Sequence, residues 1–372
     1  MKPPVYASLQ YIRGIAAMAV VYFHAVLASV NAFAGRGAAL PWVGAFGVDL
    51  FFALSGFVMW TSTVGKPIST LEFYRRRIVR IVPLYWLMTS LLLVMTLLLP
   101  RATETAMLAP GHVVASYLFV PWPNPGMTGR PFTDLMTPLL VPGWTLNYEM
   151  FFYLLFGLVV TVGGHWRFRT LLIGLPLVML ACMAFSPYSM VLKFYGSLRL
   201  LEFVGGVVLA RMTLGERRST PAVLAVGAVI LGIVSLPVVE ATRASAHIMY
   251  PVLGIASFLV LWGLIALERQ GQMPRSRLLT LLGDASFSIY LTHIFAIAAL
   301  RVVVLRLVPM PLLRDGVVPQ AGFVLAAMLV AAIGGIIVHL LFERPVTRYL
   351  TGRRSASAGR SGDPVPVSVM KG

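Results

Sequence analysis

The chain has 372 residues, of which 58% are hydrophobic and only 12% charged, and it carries a formal net charge of +17. An ordinary soluble domain has about a quarter charged residues, so this chain lacks the polar surface to face water all round, and its mean hydropathy of +0.85 agrees. The positive charge does not indicate nucleic acid, because Lys and Arg are scattered between apolar runs; short basic loops between membrane spans account for them.

A bilayer crossing needs about 20 consecutive apolar residues. Ten runs qualify, in chain order 10–33, 44–63, 78–99, 142–162, 171–188, 195–212, 221–239, 246–267, 285–307 and 320–342. The first has no small-residue cleavage site after it and is expected to stay as a span rather than leave as a signal peptide. The sixth is the weakest, because Arg199 and Glu202 interrupt it. Cys182, the single cysteine, excludes an internal disulfide and reads as a small core residue. The expectation is an all-α integral membrane protein, a bundle of about ten transmembrane helices in one domain over 1–350. Placing the amino terminus in the cytoplasm puts twenty Lys and Arg on that side against eight on the other, with Arg13 and Arg199 inside spans. That asymmetry predicts both termini cytoplasmic. The longest connection, 101–141, then lies outside and is Pro-rich around Pro121-Trp122-Pro123. The segment 351–372, rich in Ser, Gly, Pro and Arg, reads as a disordered basic cytoplasmic tail. No internal repeat is visible, which counts against transporters built from repeated halves.

An ionisable residue inside a bilayer costs several kcal/mol and is by default a functional one. The first span holds two, Arg13 and His24. Eleven helical steps leave them about 20° apart around the axis and roughly 16 Å apart along it. Both line one face, with Arg13 near the cytoplasmic mouth and His24 near mid-membrane. Taken alone the pair admits a second reading, in which Arg13 snorkels to the headgroups and His24 is a satisfied core histidine.

The segment Leu9-Gln10-Tyr11-Ile12-Arg13-Gly14, followed by Phe23-His24, resembles the opening of the membrane-bound acyltransferase family 3, which carries an Arg and a His separated by ten residues in its first span. The resemblance continues at Phe46-Gly47-Val48-Asp49-Leu50-Phe51-Phe52 and at Arg77-Ile78-Val79-Arg80, where the family has an Arg-x-x-Arg element. It recurs at Trp144-Thr145-Leu146-Asn147-Tyr148-Glu149, Arg199-Leu200-Leu201-Glu202, Ser286-Phe287-Ser288-Ile289-Tyr290-Leu291-Thr292-His293 and Phe342-Glu343-Arg344-Pro345. Each element is short, but seven stand in order across nearly the whole chain. The resemblance implies an acyltransferase of the exopolysaccharide and O-antigen acetyltransferase type in a bacterial inner membrane. Its implied donor is acyl-coenzyme A, most simply acetyl-coenzyme A, and its acceptor a saccharide or lipid-linked saccharide.

Acyl transfer from a thioester to a sugar hydroxyl needs that hydroxyl deprotonated as it attacks, work suited to a neutral imidazole. His24 is the candidate base, acting directly or as an acyl carrier, with Arg13 reaching toward the donor. Arg75, Arg76, Arg77 and Arg80 form a basic cluster at the cytoplasmic start of the third span, where guanidinium forks match phosphate. The same cluster would also serve as a positive-inside anchor with no ligand. Glu149, with Tyr153 one turn on, is expected to bind acceptor hydroxyls or orient His24. Asp49 is expected on the acceptor side, Tyr290 and His293 with Ser286 along the cavity wall, and Trp122 either against a sugar ring or in an interfacial belt. Arg199 and Glu202, three apart, are expected to neutralise each other. His339 with Glu343, and His112, His165 and His247, read as structural or solvated, and no combination has metal-ligand spacing. The rivals are a transporter or flippase, and a non-catalytic component of polysaccharide export.

Overall fold

The computed structural model describes residues 6–30, 42–99, 108–129, 135–215, 220–242, 246–309 and 317–352. Among the described residues each of the ten apolar runs is helical over most of its length, and there is no strand. In chain order the helices are α1 (Ala7–Ser29), α2 (Phe46–Thr63), α3 (Thr70–Leu98), α4 (Pro110–Tyr117), α5 (Trp144–Val159), α6 (Gly164–Ala184), α7 (Met190–Tyr195), α8 (Leu200–Gly215), α9 (Ala222–Ala241), α10 (Ala246–Arg269), α11 (Arg277–Asp284), α12 (Ser286–Leu307), α13 (Val317–Val338) and α14 (Arg344–Leu350). Among the described residues, eight helical stretches are long and apolar enough to cross a membrane. Residues such as Leu325, Leu329, Ile333 and Leu341 stand exposed along the last of them, the surface expected where lipid tails replace water.

The remaining two runs, α5 and α8, give helices of 16 residues each. At 1.5 Å per residue such a helix is about 24 Å long, short of the roughly 30 Å hydrocarbon core. Each is short because the chain has already entered the bundle before the helix begins. Ahead of α5, Met136, Leu139 and Leu140 are buried, and Tyr290 of α12 donates to the Pro142 carbonyl at 2.8 Å. Ahead of α8, the rings of Phe194 and Tyr195 on α7 stack on Tyr148 and Phe151, with centroids 4.3 and 4.1 Å apart.

The connection read from sequence as an external loop therefore packs, in its described part, along α3. Tyr85, midway along α3, donates to the Ser116 carbonyl at 2.9 Å, and the Trp86 indole donates to the Tyr117 carbonyl at 3.0 Å. Non-helical backbone at such a depth has to satisfy its polar groups within the protein. Here the Leu139 amide donates to Ser116 Oγ at 2.9 Å, and a His112 ring N–H donates to the Thr137 carbonyl at 3.0 Å. The His112 imidazole is wholly buried, and that burial pushes its pKa below the ordinary histidine value.

Central in the bundle is α2, with Phe52, Phe57, Met59 and Trp60 buried. It meets α8 through two glycines. A Cβ on Gly56 would lie 2.0 Å from the Phe203 carbonyl oxygen, and one on Gly206 would lie 1.9 Å from that of Ala53. Only small residues permit backbones to approach so closely. At the other end of the bundle, the backbone N–H groups of Ala7 and Ser8 donate to the Glu268 carboxylate at 2.5 and 2.8 Å. An acid at a helix N-terminus stabilises its exposed amides, and this one fixes the end of α1 that carries Arg13. The side chain of His247 and residues 353–372, including most of the expected tail, lie outside the described residues.

Candidate active site

A cavity of about 360 Å³ runs between α1, α2, α3, α5 and α12. Its charged end is built from three helices. Arg13 comes from α1, Arg77 and Arg80 from α3, and Glu149 and Tyr153 from α5. Helical spacing places them there, because positions three or four apart share a face. Tyr153 donates to Glu149, and Ser55 of α2 donates to the same carboxylate at 3.3 Å. Arg77 lies with its guanidinium carbon 5.9 Å from the centre of the Tyr153 ring and 6.0 Å from that of Phe73. Its buried Nε has no hydrogen-bond partner among the described residues. Arg13 donates to Gln10 at 3.0 Å. Three guanidinium groups with so few acceptors are a ready anion site, since a charged donor left unpaired in a buried place is costly.

At the opposite end of the cavity the lining includes Phe51 and Tyr290, an aromatic roof whose rings meet edge to face at 5.8 Å. Tyr290 is pinned there, its hydroxyl lying 2.7 Å from Thr145 Oγ1 and 2.8 Å from the Pro142 carbonyl. Beyond that roof lie two imidazoles. His24 and His293 face each other with ring centroids 4.8 Å apart, and neither lines the cavity. His24 is half-buried and His293 wholly buried. Arg13 and His24 thus stand at opposite ends of one stripe on α1, with the cavity and its aromatic roof between them.

Glu149 makes no hydrogen bond to His24; its partners are Tyr153 and Ser55. Arg75 and Arg76 point away from the cavity to Glu72, at 3.8 and 2.6 Å. Trp122 is 46% exposed and packs on Gly111, where an added Cβ would meet its ring at 3.2 Å. Asp49 is buried and faces Glu202 of α8, close to Arg199.

Arg199 and Glu202 make no direct ion pair, although the charges of Glu202 and Asp49 act on Arg199. Arg199 instead lies over the rings of Tyr250 and Trp144, at 4.2 and 4.7 Å, and both Glu202 oxygens are without a donor among the described residues. The geometry explains this: α5 and α10 present aromatic faces to Arg199, so its guanidinium sits in cation–π contact rather than in a direct bond to the carboxylate. Some members of the site carry weak sequence signals. Ser55 and Gln10 are single polar residues on apolar helices, and Phe51 looks like ordinary core. Glu343 had a better signal, an acid at the end of an apolar run. A five-residue π-helical turn, His339–Glu343, carries it, and such turns often mark functional sites. Glu343 accepts from Ser288 at 2.6 Å and from His339 at 2.8 Å, and its charge acts on Arg80. Among the described residues no cluster of three or more His, Cys, Asp or Glu offers a metal site.

Comparison with known proteins gives a consistent picture. The family model described as "Acyltransferase domain" matches residues 6–340. The exopolysaccharide production protein ExoZ of Rhizobium meliloti (strain 1021) is 33% identical over 345 residues, covering 86% of this chain and 94% of its own. The acyltransferase MdmB of Streptomyces mycarofaciens is 29% identical over 381 residues, with 93% of each chain covered. No solved structure matches.

Proposed function

The chain belongs to the membrane-bound acyltransferase family 3, and from that membership we propose that it is an O-acetyltransferase moving an acetyl group from acetyl-coenzyme A to a hydroxyl of an exopolysaccharide or its lipid-linked precursor. The observation that carries this reading is the cavity itself, with three guanidinium groups at one end and a pair of histidines just past the other. Coenzyme A brings several phosphate charges, and Arg77, Arg80 and Arg13 are the groups to receive them. About 360 Å³ is at the small end of ligand pockets, which suits an extended thioester arm with the nucleotide left at the mouth. Glu149, held by Tyr153 and Ser55 among the arginines, orients those cations before the donor arrives. The arm reaches the Phe51–Tyr290 roof, and the thioester meets His24 beyond it.

His24 Nδ1–H donates to the Val20 carbonyl at 3.0 Å, which leaves Nε2 with its lone pair. Nε2 takes the acceptor proton as the hydroxyl oxygen attacks the acyl carbon. The carbon–sulfur bond then breaks, the sulfur takes that proton from His24, and the thiol leaves through the cavity. The basic loops favour a donor on the cytoplasmic side and a saccharide on the other face of a bacterial inner membrane. Relatives support the acceptor class, since one is named for exopolysaccharide production.

Sided membrane vesicles test the proposal. Radiolabelled acetyl-coenzyme A supplied on the arginine side should label polysaccharide, and His24→Ala should abolish labelling. A protein that moved substrate without consuming thioester would be a transporter, and the proposal would fail.

A further inference from the structure

We propose that His293 is a positioning residue for His24, the hydrogen-bond acceptor for the proton that His24 takes up, so that the base is a pair of imidazoles with no carboxylate. This rests on His24 being the base, as proposed above. His293 Nδ1 lies 2.6 Å from the Tyr290 carbonyl, as His24 Nδ1 lies 3.0 Å from that of Val20. A carbonyl oxygen only accepts, so each Nδ1 carries the hydrogen and each Nε2 carries a lone pair. His293 is fully buried, and its Nε2 has no donor among the described residues. A buried acceptor left open is disfavoured; here the neighbouring ring, 4.8 Å away centre to centre and tilted by 54°, becomes a donor once it is protonated.

Among the described residues no other group on the surrounding elements supplies that acceptor; Asp284 at the end of α11, which also packs on α1, acts on Arg13. On α1 the ionisable neighbours are Tyr22 and, eleven residues down, Arg13. On α12 they are Tyr290, whose hydroxyl is engaged at Pro142 and Thr145, and Arg301, eight residues beyond His293. Asp49 at the start of α2 faces Glu202, Glu268 of α10 holds the far end of α1, and α13 contains no ionisable side chain. In most histidine bases a carboxylate on the second nitrogen steadies the imidazolium. Here both second nitrogens are tied to backbone, and the steadying has to come at Nε2. The proton balance closes without an added reagent: the hydroxyl proton goes to His24 Nε2, where the one N–H is shared between the substrate oxygen and His293 Nε2, and it ends on the departing sulfur as carbon–oxygen replaces carbon–sulfur.

The test uses native membranes that make their own polysaccharide, with labelled acetyl-coenzyme A and a rate-versus-pH profile. His293→Phe keeps a ring but no acceptor, and His293→Gln offers an acceptor oxygen. Groups that orient a working histidine are commonly worth about 10- to 100-fold, and a loss of that size is expected in His293→Phe. The donor KM should stay within about twofold, a check that the bundle is intact. Because the imidazolium loses its acceptor, His24 gives up its proton more readily and the acidic limb of the profile moves to lower pH. His293→Gln should recover part of the rate. A wild-type rate and limb in His293→Phe overturns the inference, as does equal loss in both variants with an unmoved limb. If His24→Ala is inactive while His293→Phe behaves as wild type, only this inference falls; if His24→Ala retains transfer, the base assignment falls with it.

Discussion

Four arginines stand within six residues of α3, yet they belong to two different places. Arg75 and Arg76 stay outside the cavity, with side chains 60% and 53% exposed, and both are engaged with Glu72. Arg77 and Arg80 turn into the cavity beside Arg13, Glu149 and Tyr153. The difference is one of helix phase, since a step of 100° separates neighbours while three steps nearly restore the face. Exposed ion pairs are worth at most about 1 kcal/mol, whereas hydrogen bonds from buried charged groups are worth about 1.5–3 kcal/mol. A run of like charges is thus a poor unit of function. The face is the unit.

The sharpest way to break that comparison is to remove the inner pair. Arg77→Ala with Arg80→Ala should lower kcat/KM for acetyl-coenzyme A by roughly 100-fold or more, from two lost charge-assisted bonds. Lysine at the same positions should recover only part, because an ammonium cannot make the forked contact. Glu149→Gln comes next. With its charge gone, the arginines lose their orienting partner, and kcat/KM should fall about tenfold in the same assay. Arg75→Ala and Arg76→Ala should leave donor kinetics within about twofold; an effect as large as the inner pair's would refute the division. The smallest effect concerns pH and the packed connection. Burial lowers the His112 pKa, so the unfolded chain binds the proton first. Stability is full above about pH 6.5 and declines as pH falls below it. Limited proteolysis of the connection should accelerate over that range in wild type and less so in His112→Asn.

The apolar runs showed where the helices would form, and helix spacing showed which of Arg13, Arg77, Arg80, Glu149 and Tyr153 could share a surface. Two features stayed hidden for physical reasons. The entry of residues ahead of α5 into the bundle leaves only Met136, Leu139 and Leu140 as a trace, too short a run to show a period. The roof of Phe51 and Tyr290 was hidden because depth along a helix can be counted from sequence, whereas the partner across a cavity cannot. Arg199 makes the same point: the glutamate three residues away was visible as a counter-charge, but the rings of Trp144 and Tyr250 that its guanidinium lies against, and Asp49 beside it, are distant in the chain. His293 was legible as a polar residue on the stripe with Ser286 and Tyr290, but its pairing with His24 was not.

Everything turns on Arg13 and His24 bracketing one reaction path along α1. Mass analysis of surface polysaccharide from cells carrying wild type, Arg13→Ala and His24→Ala tests this directly. Acylated polymer is expected from wild type, none from His24→Ala and strongly reduced acylation from Arg13→Ala, with all three proteins present in the membrane. Unaltered acylation in both variants would contradict it.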